Sequence, residues 1–403
     1  MKEISGGVCA PQGFKASGVH CGIRKNKDKK DLALIVSDTR ASAAGVYTTN
    51  LVKGAPITVT QNNISDGYAQ AIICNSGNAN TCNSDGIEIA ENMCKLVEEH
   101  TGINANDVIV ASTGVIGQPL DITPIKNGMD ELVKSLGDKS ADANDAIMTT
   151  DTVRKEIAVE FEICGKTCKI GGIAKGSGMI HPDMATMLVF LTTDVAISPI
   201  MLRKALLSDV VKSFNMLSVD GDTSTNDMLM VIANGKAGNT RIEKEGDDYT
   251  KFCSALAYIT SNLCRKIAKD GEGATKLIEC RVTRAVNDKE AKRIAKSVIT
   301  SSLLKAAMFG ADANWGRVLC AIGYSGAQVD VNKIDVSFKS RAGSVAVCKN
   351  GAGIEFSEDI AKQILLEDEI VIQIDCNDGK GDATAWGCDL TYDYVKINGD
   401  YRT

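Results

Sequence analysis

Residues 174–194 read AKGSGMIHPDMATMLVFLTTD. Lys175, Gly176, Ser177 and Gly178 make a small-residue, bendable segment, and Pro182 turns it. The apolar run Met187-Leu188-Val189-Phe190-Leu191 follows almost at once. Short, apolar and bounded by turn signals, it is predicted to be a buried strand. Thr186 stands at the mouth of that strand. Beginning a strand asks no more of a threonine than its β-branch. Cleavage of the chain just before Thr186, however, would put a hydroxyl nucleophile and its own amine base on one residue.

Upstream, strands are predicted at Lys155–Phe161 and Thr167–Ile173, after a short helix at Asp142–Thr149 that leads into Thr149-Thr150-Asp151-Thr152. Phe14–Ile23, which holds His20, and Leu32–Ser37 read as paired strands. Ala69–Cys74 reads as a strand ending in NSGNAN (75–80), and Val108–Ala111 as one opening into STGVIG (112–117). Between them Asp85 starts a helix through His100, with Ile87, Ile89, Met93, Leu96 and Val97 at helical spacing and Gly102 after its end. Downstream, Ser198 caps a helix with Pro199 in its first turn, running to about Phe214. The loop Asp220–Asp227 is too rich in hydrogen-bonding groups for a plain hairpin. A long helix at Tyr249–Asp270 ends at Gly271-Glu272-Gly273. A strand at Thr275–Val286, a helix at Glu290–Ala307 and another from Trp315 follow. The tail gives strands at Lys333–Phe338, Ser344–Cys348, Glu369–Cys376 and Ala383–Ile397, with a helix at Ser357–Leu366. This order is mixed, without regular strand–helix alternation, and favours α+β layers of sheet and helix.

The 403 residues are 44% hydrophobic and 24% charged, the balance of an ordinary globular protein. Aromatics are 4%, so packing must rest on Ala, Val, Ile, Leu and Met. A net charge of -6 argues against a nucleic-acid or anionic-membrane surface. The Lys25–Lys30 run includes Asn26 and Asp28 and reads as a solvated turn. The 14 cysteines form no CxxC pair and no zinc-spaced cluster with histidine. The start MKEISGG has no apolar signal region, and no apolar run approaches a membrane span. Reduced, mostly buried thiols in a cytoplasmic protein, with no metal, are expected.

Chemistry has to be found with three histidines, His20, His100 and His181. The first two read as structural, and only His181 stands near Thr186. No GxSxG surrounds a serine. Gly176-Ser177-Gly178 lacks the third glycine of a dinucleotide fingerprint, and Gly271–Lys276 lacks phosphate-loop spacing. A threonine-centred site needs no histidine. Thr113-Gly114 offers a hydroxyl and an unobstructed backbone N–H, the donors an oxyanion wants, although a turn alone would also favour the glycine. Lys175 offers a cation. Glu272 offers a carboxylate near a helix C-terminus, where the macrodipole disfavours it unless a cation is paired with it.

Seven stretches in order carry a resemblance: NSGNAN at 75–80, STGVIG at 112–117, TTDT at 149–152, KGSGMIHPDMATML at 175–188, GEGATK at 271–276, GADANWGR at 310–317 and NGDYRT at 398–403. On these the chain resembles the ornithine acetyltransferase family, the glutamate N-acetyltransferases of arginine biosynthesis, over essentially its whole length. The resemblance implies a layered α/β sandwich and a precursor that cleaves itself between Ala185 and Thr186. Residues 1–185 would form an α chain and 186–403 a β chain, interwoven in one catalytic unit and assembled as α2β2. It implies that Thr186 takes acetyl from N2-acetylornithine, releases ornithine and passes acetyl to glutamate. Acetyl-CoA is a further co-substrate it allows, and it implies no bound cofactor. Thr113 and Gly114 match the family's oxyanion positions; Thr149, Lys175, Thr186, Glu272, Asn398 and Thr403 match its substrate-binding positions.

Two rival readings stand beside this one. A self-processing aminopeptidase of related architecture would release its acyl group to water. A non-enzymatic binding module would stay uncut.

Overall fold

Leu188–Thr193 is a strand, and all six of its residues are buried. Val189 and Leu191 enter one core while Leu188 and Phe190 enter another. Successive strand side chains face opposite ways, so a strand covered on both faces must be apolar throughout. That explains the unbroken run in the sequence. The computed structural model describes residues 1–181 and 187–400.

Among the described residues this strand belongs to a nine-stranded sheet. Its members are β1 (Lys2–Ile4), β2 (Phe14–Val19), β3 (Leu32–Tyr47), β4 (Tyr68–Asn78), β5 (Val108–Val115), β6 (Lys155–Ile163), β7 (Lys166–Lys175), β8 (Leu188–Thr193) and β9 (Met228–Ala233). The order is β1-β6-β7-β8-β9-β3-β4-β5, with β2 also on β3. The first part of β3 pairs with β2 and its last residues with β9, so both partners leave the same edge. Pairing with β4 shifts register between Val36 and Ala41. Such irregularities bend and twist a strand, and here the sheet divides into two layers.

The helices that cover these layers are α1 (Ala55–Asn63), α2 (Gly86–Thr101), α3 (Thr123–Lys134), α4 (Ser140–Ile147), α5 (Pro199–Val210) and α6 (Asp247–Lys269). Between the layers, Ile35, Ile72 and Ile109 share a core with Phe190, Met230 and Ile147 of α4. On one outer face, Met93 of α2 and Met129 of α3 pack on Leu34, Ile73 and Val110. On the other, Leu202 of α5 and Leu263 of α6 pack on Val159, Ile170 and Leu229. The result is a layered α+β sandwich. A second sheet, six-stranded among the described residues, holds β10 (Leu277–Ala285), β11 (Asp335–Ser340), β12 (Gly343–Lys349), β13 (Ala352–Gly353), β14 (Glu369–Asp375) and β15 (Gly381–Cys388). It carries α7 (Asp288–Thr300), α8 (Ser302–Phe309), α9 (Trp315–Gly323), α10 (Glu358–Leu365) and α11 (Tyr392–Gly399). Its core is continuous with that under α5 and α6. Strands β8 and β9, from beyond residue 186, lie between β7 and β3, from before residue 185. Neither segment completes the sheet alone.

Several expectations are corrected. The expected strand Phe14–Ile23 stops at Val19, and His20 lies beyond it with Nδ1 2.9 Å from the Lys29 carbonyl. The expected helix Glu290–Ala307 is two helices, broken where Ser301 caps the second by accepting from Leu304 N. The expected strand Ala383–Ile397 is a strand to Cys388 followed by α11, capped by Thr391. The Ser198 helix ends at Val210. All fourteen cysteines are free, eight of them buried. No described helix is long and apolar enough to cross a membrane.

The contact between α5 and α6 carries a pH signature. Asp209 accepts from Ser213 Oγ (2.9 Å) and Thr260 Oγ1 (3.1 Å). Burial pushes its carboxyl up from 3.8 to about 6, against those hydroxyls and the Lys212 charge. A raised folded value means that the group's stabilisation is complete below the unfolded value and lost as pH rises through the folded one. At roughly 1.4 kcal/mol per unit, the loss reaches about 3 kcal/mol by pH ~7. Asp209→Asn should therefore gain up to about that much on the wild type between pH ~4 and ~7 in denaturant unfolding. A gap between the two proteins that does not change with pH would show that this carboxyl is not the titrating group.

Candidate active site

The ends of β4, β5, β7 and β9 meet the loop after α6, and a cavity of about 260 Å3 lies between them. That is below the ~300–1,000 Å3 typical for drug-sized ligands, so it suits a small substrate.

The β5 wall comes first. β4 and β5 run parallel with Gly77 opposite Gly114. A Cβ on Gly114 would lie 2.3 Å from the Gly77 carbonyl carbon, and Gly114 has φ of +136°. Only glycine fits there, which brings the Thr113-Gly114 backbone to the cavity. Behind it, NSGNAN is a buried polar scaffold. Asn75 accepts from Ser112 Oγ at 2.6 Å and Ser76 Oγ donates to the Ala146 carbonyl at 2.6 Å. Asn80 Nδ2 donates to the Gly86 carbonyl at 2.8 Å. These bonds carry β4 through Asn78 and β5 through Val115, where open loops were expected.

Lys175 closes β7, directly across from Leu188. Its Nζ donates to Thr113 Oγ1 at 3.2 Å, which leaves the threonine's own proton free to point at a ligand. Thr149 and Thr150 line the cavity beside it. Their loop is held by Asp151, which accepts from Thr149 N (3.0 Å), Gly176 N (2.6 Å) and Lys155 Nζ (2.6 Å). Thr150 Oγ1 and Ser177 Oγ share a 2.6 Å hydrogen bond.

Glu272 enters from the end of α6. Its N–H donates to the Ser177 carbonyl at 2.9 Å. A Cβ on Gly178 would lie 2.4 Å from the Glu272 carboxylate, so that glycine makes room for it. Asn398 of α11 donates from Nδ2 to Glu272 Oε2 at 2.8 Å. The carboxylate that the helix dipole disfavours thus has an amide partner and faces the cavity. His181 Nδ1 sits 3.1 Å from Ser218 Oγ, away from the cavity lining.

Of the residues named from sequence, Thr113, Gly114, Thr149, Lys175, Glu272 and Asn398 therefore line one cavity. Ala185, Thr186 and Thr403 lie outside the described residues. Met187, next after Thr186, accepts from Met228 N at 2.8 Å, so the chain returns to this cavity's β9 wall.

That wall was missed at the level of roles. Ser224, Thr225, Asn226 and Asp227 all line the cavity. Asn226 Nδ2 donates to the carbonyls of Ala79 (2.5 Å) and Ser112 (3.0 Å), tying β4, β5 and β9 together. Asp227 is 4% exposed, and its Oδ2 has no hydrogen-bond partner among the described residues. Burial pushes its carboxyl well above the ordinary carboxylate value, against the Lys175 charge. That favours the neutral acid, which can donate a hydrogen bond into the cavity. The signal was present as the polar run DGDTSTND before an apolar strand.

The arrangement offers a hydroxyl and backbone N–H at a glycine, a cation and a carboxylate around a small volume. Acyl transfer on an amino-acid derivative uses such a set. The comparisons decide the family: the model described as "ArgJ family" matches residues 15–403.

The chain belongs to the ArgJ family.

Among its relatives, the arginine biosynthesis bifunctional protein ArgJ 1 of Clostridium acetobutylicum is 52% identical, over 97% of this chain and 96% of that protein. The ArgJ of Bacillus subtilis is 48% identical, over 100% of this chain and 98% of that one. A crystal structure of the Bacillus halodurans ArgJ is 46% identical with a TM-score of 0.50. It covers 53% of this chain and 98% of the solved one. ArgJ membership agrees with the resemblance drawn from the seven stretches.

Proposed function

We propose that this chain is a glutamate N-acetyltransferase of arginine biosynthesis. It moves acetyl from N2-acetylornithine to glutamate through an acetyl ester on Thr186. Thr186 Oγ attacks the acetyl carbon, the C–N bond breaks, and ornithine leaves with the hydroxyl's proton on its amine. The glutamate amine then attacks the ester and Thr186 regains its proton. Thr113 Oγ1 and the Gly114 N–H hold the oxyanion in both steps. Lys175 receives the substrate's α-carboxylate, and Thr149 hydrogen-bonds the same end. Glu272, set by Asn398, receives the δ-ammonium of ornithine. Thr403 completes the substrate contacts. The observation that carries this reading is the gathering of Thr113, Gly114, Lys175 and Glu272 around one small cavity.

The nucleophile is freed by self-cleavage between Ala185 and Thr186, giving chains 1–185 and 186–403 that pair as α2β2. Two observations support the cut. The solved B. halodurans chain matches just over half of this one, the share that residues 186–403 make up. The interleaved strand order also keeps two fragments in one sheet. Free thiols throughout suit a cytoplasmic protein.

Glu272→Gln tests the assignment. It should lower kcat/KM for N2-acetylornithine by about tenfold or more, the worth of one charge-assisted contact. N-acetylglutamate in the reverse half-reaction should lose far less, because it has no δ-ammonium. Self-cleavage should continue. Equal losses for both substrates would move Glu272 from specificity to structure. An aminopeptidase would instead hydrolyse its acyl donor at a rate indifferent to added glutamate.

A further inference from the structure

One titratable group on the cavity wall has no part in the steps above. Asp227 stands at the head of β9, buried, and lines the substrate cavity. Strand β8 lies between it and Lys175. Lys175 pairs with Leu188, and Leu188 with Met228, the residue after Asp227. At ~4.8 Å per strand their Cα atoms are on the order of 10 Å apart. An ammonium and a carboxyl reaching in from these two strands leave room for a ligand carboxylate between them.

The other carboxylates nearby are engaged. Asp151 accepts from Lys155 Nζ and Gly176 N, each at 2.6 Å. Glu272, across the cavity, accepts from Asn398 Nδ2 at 2.8 Å. Lys175 donates to Thr113 Oγ1 and makes no ion pair among the described residues. Asp227 is supported by Ser224 of its own loop, yet its Oδ2 has no hydrogen-bond partner among the described residues. β3 meets it with Tyr47, opposite Met228, and with the Thr48 N–H, which donates to the Asp227 carbonyl at 3.0 Å. The charge that acts on the carboxyl is that of Lys175, and burial outweighs it. Ionised, Asp227 would compete with a ligand's carboxylate for Lys175. Neutral, it offers an O–H on the same side of the cavity. An unpartnered buried oxygen costs free energy, which a ligand group bonded there recovers.

We infer that Asp227 is a further specificity-determining residue: as the neutral acid, its Oδ2–H donates to the same ligand carboxylate that Lys175 receives. The inference rests on the acyl-transfer reading above, which puts a substrate carboxylate at Lys175. The cavity then has two donors at one end, an ammonium and an acid O–H, and the Glu272 anion at the other. A molecule with a carboxylate at one end and an ammonium at the other matches that order. Loss of the Asp227 proton removes one donor and sets an anion against the ligand, so binding above the folded value must take up a proton from solvent. Affinity is constant below that value and falls by up to about tenfold per pH unit above it.

The test is equilibrium binding of 5-aminopentanoate to the full-length protein by calorimetry. This probe is ornithine without its α-amine. It carries no acyl group, so it reads the site without turnover, and it does not titrate between pH ~6 and ~9. Asp227→Leu should raise its Kd at least about tenfold at pH ~6, the worth of a hydrogen bond to a charged group. Asp227→Asn keeps a donor in the same place and should bind within about twofold of the wild type there. As pH rises to ~9 the wild-type Kd should climb, with proton uptake on binding, while the asparagine variant stays flat. n-Pentylamine has the ammonium without the carboxylate, and all three proteins should bind it within about twofold of one another. Equal losses with both probes would make Asp227 structural and overturn the assignment. A leucine variant that binds like wild type, a wild-type Kd flat to pH ~9, or a rise that persists in Asp227→Asn would overturn it too. So would a wild type that binds 5-aminopentanoate no better than n-pentylamine. A wild type inert in acetyl transfer from N2-acetylornithine would instead defeat the acyl-transfer reading itself.

Discussion

Thr186→Ala should leave one uncut chain and reduce acetyl transfer on the order of 10⁴-fold or more, since loss of a nucleophile removes the covalent route altogether. On the reading proposed above, both events call on the same oxygen. In cleavage, Thr186 Oγ attacks the Ala185 carbonyl carbon, the peptide C–N bond breaks to give an ester and the free Thr186 amine, and water then hydrolyses the ester to the Ala185 carboxylate and the Thr186 hydroxyl. In turnover the same Oγ takes acetyl, with that amine as its base. Thr186→Ser keeps the oxygen and should still cut. A denaturing gel with intact mass reads the first event; acetylated β chain and parallel double-reciprocal plots read the second. A wild-type β fragment must begin at Thr186. If the alanine variant is cut at that bond, the nucleophile lies elsewhere. The fold adds a separate requirement. β8 pairs with β7 on one side and β9 on the other, in registers Lys175–Leu188 and Leu188–Met228. The two fragments should therefore stay together through native gel filtration after the bond is gone.

What the sequence disclosed depended on how local the cause was. The β8 run was legible because burial on both faces leaves an unbroken apolar string. The start of α5 was legible because Ser198 caps it and Pro199 suits its first turn. β4 was not legible past Cys74. Asn75, Ser76 and Asn78 look like loop residues, and only bonds to Ser112, Ala146 and Gln118 make a buried strand of them. The break between α7 and α8 hid inside a continuous helical pattern because its one signal, a serine cap, also occurs mid-helix. Of the site residues carried by the seven stretches, Thr113, Gly114, Thr149, Lys175, Glu272 and Asn398 line one cavity. Asp227 and Asn226 escaped assignment because their burial is created by β4 and β5, about 110–150 residues away in sequence.

The least legible feature is also the one most sensitive to substitution. Lys155→Met should destabilise the fold by about 3–5 kcal/mol, the range for breaking a buried ion pair from one side. Lys155 begins β6, where a lysine suggests a solvated strand end, yet its side chain is fully buried. Its ammonium bridges Asp151 at 2.6 Å and Asp270 at the end of α6. Methionine fills much of the volume and leaves two buried carboxylates facing each other uncompensated. In the wild type, burial opposes the Asp151 charge. The charges of Lys155 and Lys175 and the Gly176 N–H outweigh it and hold that carboxyl below its ordinary value. A depressed folded value gives stability that is present above the unfolded value near 4 and lost as pH falls through the folded one. Without the lysine the Asp151 carboxyl should favour its protonated form, so the variant's deficit should shrink as pH falls from ~7 toward ~4. Denaturant unfolding at the two pH values measures this. A deficit under about 1 kcal/mol, or one that does not change with pH, would mean that the triad is not held as charges. The consequence for activity follows from what the triad holds. Asp151 fixes the Thr149 and Gly176 backbones, and Asp270 accepts from Thr152 N at 3.0 Å two residues before Glu272. The lysine is therefore a positioning residue for both walls of the substrate cavity. Asp151→Asn/Lys155→Met/Asp270→Asn, which removes all three charges together, should recover most of the stability while leaving those walls loosely held and kcat still low.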